Sequence, residues 1–494
     1  MADSMSTLPQ VPALLGSGVA GLDEVLGGGF TEHRLYLIEG TPGTGKTTIA
    51  LQFLIEGAKR GESVLYVTLS ETSDELMGVA RSHGWSLEDI HVREMLPTQD
   101  SLQPDEQYTM FHPSEVELSE TTLKILKDVE LLQPSRVVFD SLSELRLLAG
   151  SSLRYRRQIL ALKQFLAGRR CTVILLDDMT TSDHDLQVQS ISHAVLRLEQ
   201  INSDYGAARR RLMVLKYRGQ EFRGGFHDYR IGRGGLQVFP RLVSAEHGRA
   251  FVPVRIGSGI EPLDLLLGGG IEKGTSTLIV GAPGTGKSSL AVQFAVAAAS
   301  RGERSALFIF DESINTLLTR CAGLGMDLKG HVDSGLVQIR QVDPGELSPG
   351  ELVHAIREVV ACDGVSIVLV DSLNGYLNAM PDERFLIVQL HELLTFLSQA
   401  GVATLLVGAQ HGLIGVNMQS PVDASYLADA VVLMRYYEAE GEVRQAISVL
   451  KKRGGKHERT IRAFSMGDEG LQVGEPLRHY RGVLTGVPIP LDSA

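Results

Sequence analysis

The sequence predicts an α/β fold: two tandem domains, each a mostly parallel sheet covered by helices on both faces, with a β-rich C-terminal part. Three observations carry that expectation. A glycine-rich stretch, Gly40-Thr41-Pro42-Gly43-Thr44-Gly45-Lys46-Thr47, returns 241 residues later as Gly281-Ala282-Pro283-Gly284-Thr285-Gly286-Lys287-Ser288. Each copy stands between a short apolar run and a helical stretch. The repeat also outruns the loop: Gly16-Ser17-Gly18, Leu22-Asp23 and Gly27-Gly28-Gly29 match Gly257-Ser258-Gly259, Leu263-Asp264 and Gly268-Gly269-Gly270 at the same spacing. A period this long exceeds any solenoid unit and marks duplication of a whole domain. The halves are taken as residues 1–247 and 248–494.

In order, Arg34–Glu39 and Ser276–Val280 read as buried strands entering the loops, and the residues after Thr47 and Ser288 as helices leaving them. Each half then has an apolar run ending in acid, Val64 to Ser70-Glu71 and Ala306 to Asp311-Glu312. A third strand ends at Asp140 in one half and Asp371 in the other. A fourth runs from Thr172 to Asp177 and from Ala403 to Gln410. Strands alternating with helices give a parallel sheet, with ligands at the carboxyl ends of the strands. The closing segments match as Lys216-Tyr217-Arg218 and Lys451-Lys452-Arg453, then Gly235–Val238 and Gly470–Val473. The join is expected near Ser244–Arg255. Residues 1–12 and 488–494 are expected to fray.

Both repeated loops fit G-x-x-x-x-G-K-[ST], a cradle for nucleotide phosphates. Glycine lets backbone N–H groups turn inward toward anionic oxygens, and a side chain at Gly45 or Gly286 would block that approach. Lys46 and Lys287 add positive charge, Thr47 and Ser288 offer a hydroxyl to Mg²⁺, and the helix start adds its positive end. Thr48 and Ser289 complete the expected ATP-binding set. Asp140 and Asp371 are the expected partners of Thr47 and Ser288 in holding Mg²⁺ through water. Glu71, and Asp311 with Glu312, are the expected catalytic acids, placed to accept a proton from an attacking water. Lys216 with Arg218, and Lys451 with Arg453, alternate onto one side of a strand and could reach a neighbouring molecule's terminal phosphate. Gln410 and His411 could sense that phosphate from a strand end.

Composition limits the alternatives. The chain has 494 residues and a formal net charge of −12, so a general nucleic-acid coat is not expected. Three scattered cysteines form neither a disulfide framework nor a metal-ligand spacing, which suits a reducing cytoplasm. No signal peptide is expected from the first residues, and no apolar run reaches membrane-spanning length.

With loops, acids and Lys-x-Arg turns in place, the chain resembles the KaiC family of RecA-like P-loop ATPases with two KaiC domains, over nearly its whole length. The resemblance implies a double-ring homo-hexamer with ATP and Mg²⁺ between neighbouring subunits and slow hydrolysis. It puts Lys216 and Arg218, or Lys451 and Arg453, on the adjacent protomer's phosphate. In clock members it further implies a serine/threonine autokinase in the second domain and a signalling protein as partner. The family's two adjacent glutamates match Ser70-Glu71 and Asp311-Glu312, so the first of each pair is altered here. The family's Ser-Thr acceptor pair matches Ser425-Tyr426, leaving Ser425 as the candidate phosphosite. The chain ends soon after Gly486, without the long tail of clock members, and so is similar to a bacterial KaiC-like protein more than to a timekeeper. Two other functions share the expected fold: a nucleic-acid-dependent motor, and a scaffold in which ATP only joins subunits.

Overall fold

The computed structural model describes residues 13–95, 113–179, 186–202, 206–246, 248, 250–378, 383–410, 425–485 and 489–491. Expectations placed on residues 1–12, His411 and Gly486 lie outside these residues. The chain divides into two compact units, with the main division between Arg241 and Leu242.

In the first unit, β1 (Leu35–Gly40) enters the glycine-rich loop and α1 (Lys46–Lys59) leaves it. Next come β2 (Val64–Thr68), α2 (Ser73–His83), β3 (His91–Glu94), α3 (Pro113–Leu132) and β4 (Arg136–Asp140). They are followed by α4 (Leu142–Ala149), α5 (Ser152–Ala167), β5 (Thr172–Asp177) and α6 (Leu186–Ile191). The unit closes with β6 (Ala194–Ile201), β7 (Arg209–Tyr217), β8 (Phe226–Gly232) and β9 (Gly235–Phe239). These nine strands form one sheet in the order β9-β8-β7-β6-β1-β5-β4-β2-β3. Pairings from β6 through β3 are parallel and those from β6 to β9 antiparallel.

β1, β2, β4 and β5 are buried along their whole length, as strands covered on both faces must be. One core layer packs Ile38, Ile49, Phe53 and Tyr66 under α1; the other packs Leu37, Val67, Phe139 and Ile159 under α4 and α5. α2 starts on a reciprocal cap: Thr72 accepts from the Glu75 amide, and the Glu75 carboxylate accepts from the Thr72 amide.

The second unit repeats the plan. Its elements are β10 (Ser276–Gly281), α7 (Lys287–Ser300), β11 (Ser305–Ile309), α8 (Ile314–Gly323) and β12 (Val337–Gln341). Then follow α9 (Pro349–Cys362), β13 (Ile367–Asp371), α10 (Leu373–Asn378), α11 (Glu383–Gln399) and β14 (Ala403–Ala409). The antiparallel end is β15 (Ala430–Ala439), β16 (Glu442–Lys452), β17 (Arg462–Gly467) and β18 (Gly470–Pro476). Its sheet order, β18-β17-β16-β15-β10-β14-β13-β11-β12, matches the first strand for strand. The expected α/β architecture with tandem, mostly parallel sheets is what the chain adopts.

Candidate functional site

Each glycine-rich loop sits where a parallel strand hands over to a helix. Gly45 and Gly286 cap α1 and α7 in the left-handed region, at φ 91° and 94°. A Cβ there would come within 2.5 Å of Ile231 Cδ1 in the first unit and of Met466 Sδ in the second. The antiparallel strands thus press on the loop from one side; the left-handed angle calls for glycine, and a Cβ would also have to push these side-chain ends aside. Thr44 and Thr285 tie the loops internally, each donating its hydroxyl at 2.8 Å to the carbonyl three residues earlier. Tyr229 donates its hydroxyl to the Thr44 carbonyl at 2.6 Å.

The loop lysines are buried and differ in their partners. Lys46 Nζ donates to the Gly40 and Thr41 carbonyls at 2.7 and 3.1 Å and lies 2.8 Å from Asp178 Oδ1. Lys287 Nζ donates to the Ala282 carbonyl at 2.7 Å. Burial pulls the Lys287 ammonium below the usual lysine range, and Asp371 opposes that.

The strand-end aspartates meet the loop hydroxyls. Thr47 donates to Asp140 Oδ2 at 3.1 Å, and the buried Tyr66 hydroxyl donates to the same oxygen at 2.6 Å. Ser288 likewise hydrogen-bonds Asp371. Burial raises the Asp140 carboxyl, while the Tyr66 and Thr47 bonds hold it back. Burial pushes Asp371 up to about 6, with Glu312 and Asp311 adding to the rise and Ser288 and Arg320 opposing it. The peptide bond after each of these aspartates is cis.

This donor set suits Mg²⁺. A hydroxyl and a carboxylate offer hard oxygens, and Mg²⁺ keeps its remaining positions for water and phosphate. Among the described residues no group of three or more His, Cys, Asp or Glu forms an all-protein cage. Near the loops, Glu71 Oε2 and Gln410 Oε1 are buried acceptors without a hydrogen-bond partner among the described residues, and mark where a ligand or water would bond. Gln410 follows β14, and its amide donates to the Gly281 carbonyl at 3.2 Å.

The acids diverge between the units. Glu71 leaves a tight turn in which Thr68 Oγ1 donates to the Glu71 carbonyl and accepts from its amide, at 2.7 and 2.9 Å. Burial raises its carboxyl, and Asp140, Glu75 and Asp178 raise it further against Lys46. In the second unit Asp311 accepts from Ser372 at 2.5 Å. Glu312 is clamped 2.5 Å from Arg320, whose other nitrogen donates to Ser289 Oγ at 2.5 Å. Sequence reasoning missed Arg320 and the pairing of Asp178 with Lys46, because neither recurs in the other half: Val79 stands at the place of Arg320.

The Lys-x-Arg pairs lie away from their own loops. Lys216 is opposite Val195 and Tyr217 opposite Ala194, at the start of β6. Ala194 in turn is opposite Tyr36, whereas the loop begins at Gly40, opposite Leu198. The pair is therefore at the amino-terminal edge of the parallel strands, roughly 13 Å of strand from the loop. Lys216 and Arg218 donate to the Gln189 and Ser190 carbonyls at the end of α6, the second at 2.5 Å. The second unit has the same arrangement. Lys451 donates to the Ser425 and Ala428 carbonyls at 2.9 and 2.8 Å, and Arg453 donates to Tyr426 at 2.8 Å. Ser425 thus lies with Lys451 and Arg453, at the edge opposite Lys287.

A family model described as "ATPase: KaiC" matches the chain twice, over residues 15–243 and 256–478. This chain belongs to the KaiC ATPase family. Curated KaiC relatives align over nearly the full length. The "Circadian clock protein KaiC3" of Synechocystis sp. is 28% identical over 96% of this chain and 94% of its own. The "Circadian clock oscillator protein KaiC" of Parathermosynechococcus lividus is 28% identical over 96% and 87%. That of Synechococcus elongatus is 27% identical over 97% and 92%. Both KaiC matches contain a loop, a strand-end aspartate and a Lys-x-Arg pair. No helix among the described residues is long and apolar enough to cross a membrane.

Proposed function

We propose that the chain is a Mg²⁺-dependent KaiC-type ATPase of the cytoplasm that works as a double-ring homo-hexamer, each ATP lying between two copies. The observation that carries this reading is the separation of Lys216, Arg218, Lys451 and Arg453 from the loops of their own units. Cations at the amino-terminal edge of a sheet cannot close over a phosphate at its carboxyl edge. If they act on phosphate, the phosphate belongs to another copy.

In this reading residues 40–48 and 281–289 bind ATP, with Lys46 and Lys287 moving from carbonyl partners onto phosphate. Thr47 with Asp140, and Ser288 with Asp371, hold Mg²⁺, which when bound neutralises charge building on the phosphate oxygens. Glu71, whose raised carboxyl has an oxygen without a partner among the described residues, orients a water and takes its proton. Glu312 does the same in the second unit once it parts from Arg320, and Asp311 is held beside it by Ser372. Ser425, next to Lys451 and Arg453, is the proposed acceptor for autophosphorylation by a neighbour's second-unit site. Relatives named as clock proteins support a regulatory output through a signalling partner. The test is hydrolysis per chain as a function of concentration. Activity should fall steeply on dilution, in step with loss of the hexamer, and equal activity in a strictly monomeric sample would refute the reading.

A further inference from the structure

Beside the first unit's Lys-x-Arg pair is an open cleft of about 100 Å³, lined by His33, Arg34, Lys163, His193 and Arg218 with apolar neighbours. Among the described residues no carboxylate lines it, in a chain whose net charge is −12. Three cations converge on three consecutive carbonyls: Lys216 on Gln189, Arg218 on Ser190 at 2.5 Å, and Lys163 on Ile191 at 2.7 Å. His193 packs its ring edge-on against Tyr36 and Tyr217, at centroid separations of 5.9 and 5.6 Å.

The second unit is built differently at this place. Asp429 stands in the place of His193, directly before β15, and takes Arg453 at 3.3 Å. Thr275 replaces Arg34. Among the described residues, Asp429 supplies a counter-charge in the second unit, whereas in the first the acid paired with a lining residue is Glu32, 3.8 Å from His33 Nε2, and Arg34, Lys163 and Arg218 pair with none. Like charges gathered without a counter-ion are destabilising unless an anion joins them.

We propose that this cleft is an oxyanion site, taking a phosphate group through Arg34, Lys163 and Arg218 with His193 at its floor. The electrostatics agree: burial and then Arg34, Arg218, Lys163 and Lys216 push the His193 imidazole down to about 4. Burial and neighbouring cations also pull Lys163 and Lys216 below the usual lysine range. A bound phosphate would reverse these shifts. The site goes beyond the roles given to Lys216 and Arg218, since it recruits three residues without counterparts in the second unit. The phosphate is a free one; the terminal group of a neighbour's nucleotide at this place would be the role already given to Arg218.

Equilibrium dialysis with radiolabelled inorganic phosphate, on the full chain saturated with ADP and Mg²⁺, tests it. The wild type should bind phosphate, and the Arg34→Ala/Lys163→Ala variant should bind at least about tenfold more weakly. Lys163→Arg should retain binding, and matched melting temperatures exclude misfolding. Replacing ADP with a non-hydrolysable ATP analogue distinguishes the sources. Retained binding supports the free-phosphate site, and lost binding overturns it, leaving Arg218 its role on a neighbour's nucleotide. Nucleotide occupancy of the loops, measured in the same samples, separates failure of this site from failure of the ATPase reading. Equal phosphate binding by wild type and double variant, or none by the wild type at concentrations on the order of 10 mM, overturns the proposal.

Discussion

Asp178 Oδ1 lies 2.8 Å from Lys46 Nζ, so the lysine of the first phosphate loop already has an anion. Ala409 ends the corresponding strand of the second unit, and among the described residues Lys287 there has only a carbonyl partner at 2.7 Å. A nucleotide entering the first unit must displace or repel Asp178. Asp178→Ala should therefore tighten ATP-analogue binding at that loop about tenfold. Fluorescent-nucleotide titration of the Lys287→Ala chain, with and without the second change, reads this directly. Unchanged or weaker binding would contradict it.

Glu71 sits among carboxylates and partly out of water, which raises its own carboxyl. A base that must be ionised loses function as pH falls through its raised value. The acidic limb of first-unit hydrolysis, measured with Lys287→Ala, should lie above the ordinary glutamate range. Glu71→Gln should lower kcat on the order of 100-fold or more and remove that limb. A limb that persists in Glu71→Gln would assign it to another group.

Asp371 carries the same logic to Mg²⁺. With its carboxyl pushed up to about 6, proton and metal compete below that pH. Apparent Mg²⁺ affinity at the second unit should be flat above about pH 6 and fall about tenfold per unit below it. The same shift bears on folding: the folded state holds the proton more tightly, so this group's contribution to metal-free stability is fully present below about pH 4 and lost as pH rises toward 6. Arg320 opposes the rise, so Arg320→Ala should move the inflection in Mg²⁺ affinity to higher pH. Calorimetric titration at several pH values checks both statements.

Arg136 tests the fold rather than the chemistry. Its side chain is fully buried, paired to Glu62 at 2.6 Å and donating to the Gly16 and Phe53 carbonyls at 2.9 Å each. Arg136→Met removes a buried donor from both carbonyls and leaves Glu62 without its cation. The first unit should lose about 3 kcal/mol, somewhat moderated because Glu62 reaches solvent. The denaturation midpoint of that unit should drop, and the second unit should unfold as before.

Much of this molecule is legible in its sequence because duplication shows each signal twice. The loops, the aspartates closing β4 and β13, and the buried strands follow from short local patterns that repeat. β3 and β12 did not stand out, since edge strands such as His91–Glu94 are half exposed and lack an apolar run. The site was less legible wherever the units diverge. Asp178 and Arg320 reach their partners through the tertiary fold, across 132 and 8 residues of sequence, with no repeat to flag them. The position of Lys216 and Arg218 at the far edge of the sheet depends on the antiparallel return of β7 along β6, which motif spacing does not encode.

The central claim is that each phosphate loop is completed by cations from another copy. Mixing two inactive chains tests it most directly: Lys46→Ala/Lys287→Ala, which lacks the loop lysines, and Lys216→Ala/Arg218→Ala/Lys451→Ala/Arg453→Ala, which lacks the lent cations. Co-assembled hexamers should regain hydrolysis at interfaces that pair an intact loop with intact cations. If the mixture, verified to contain both chains in one ring, stays as inactive as either chain alone, the account is wrong.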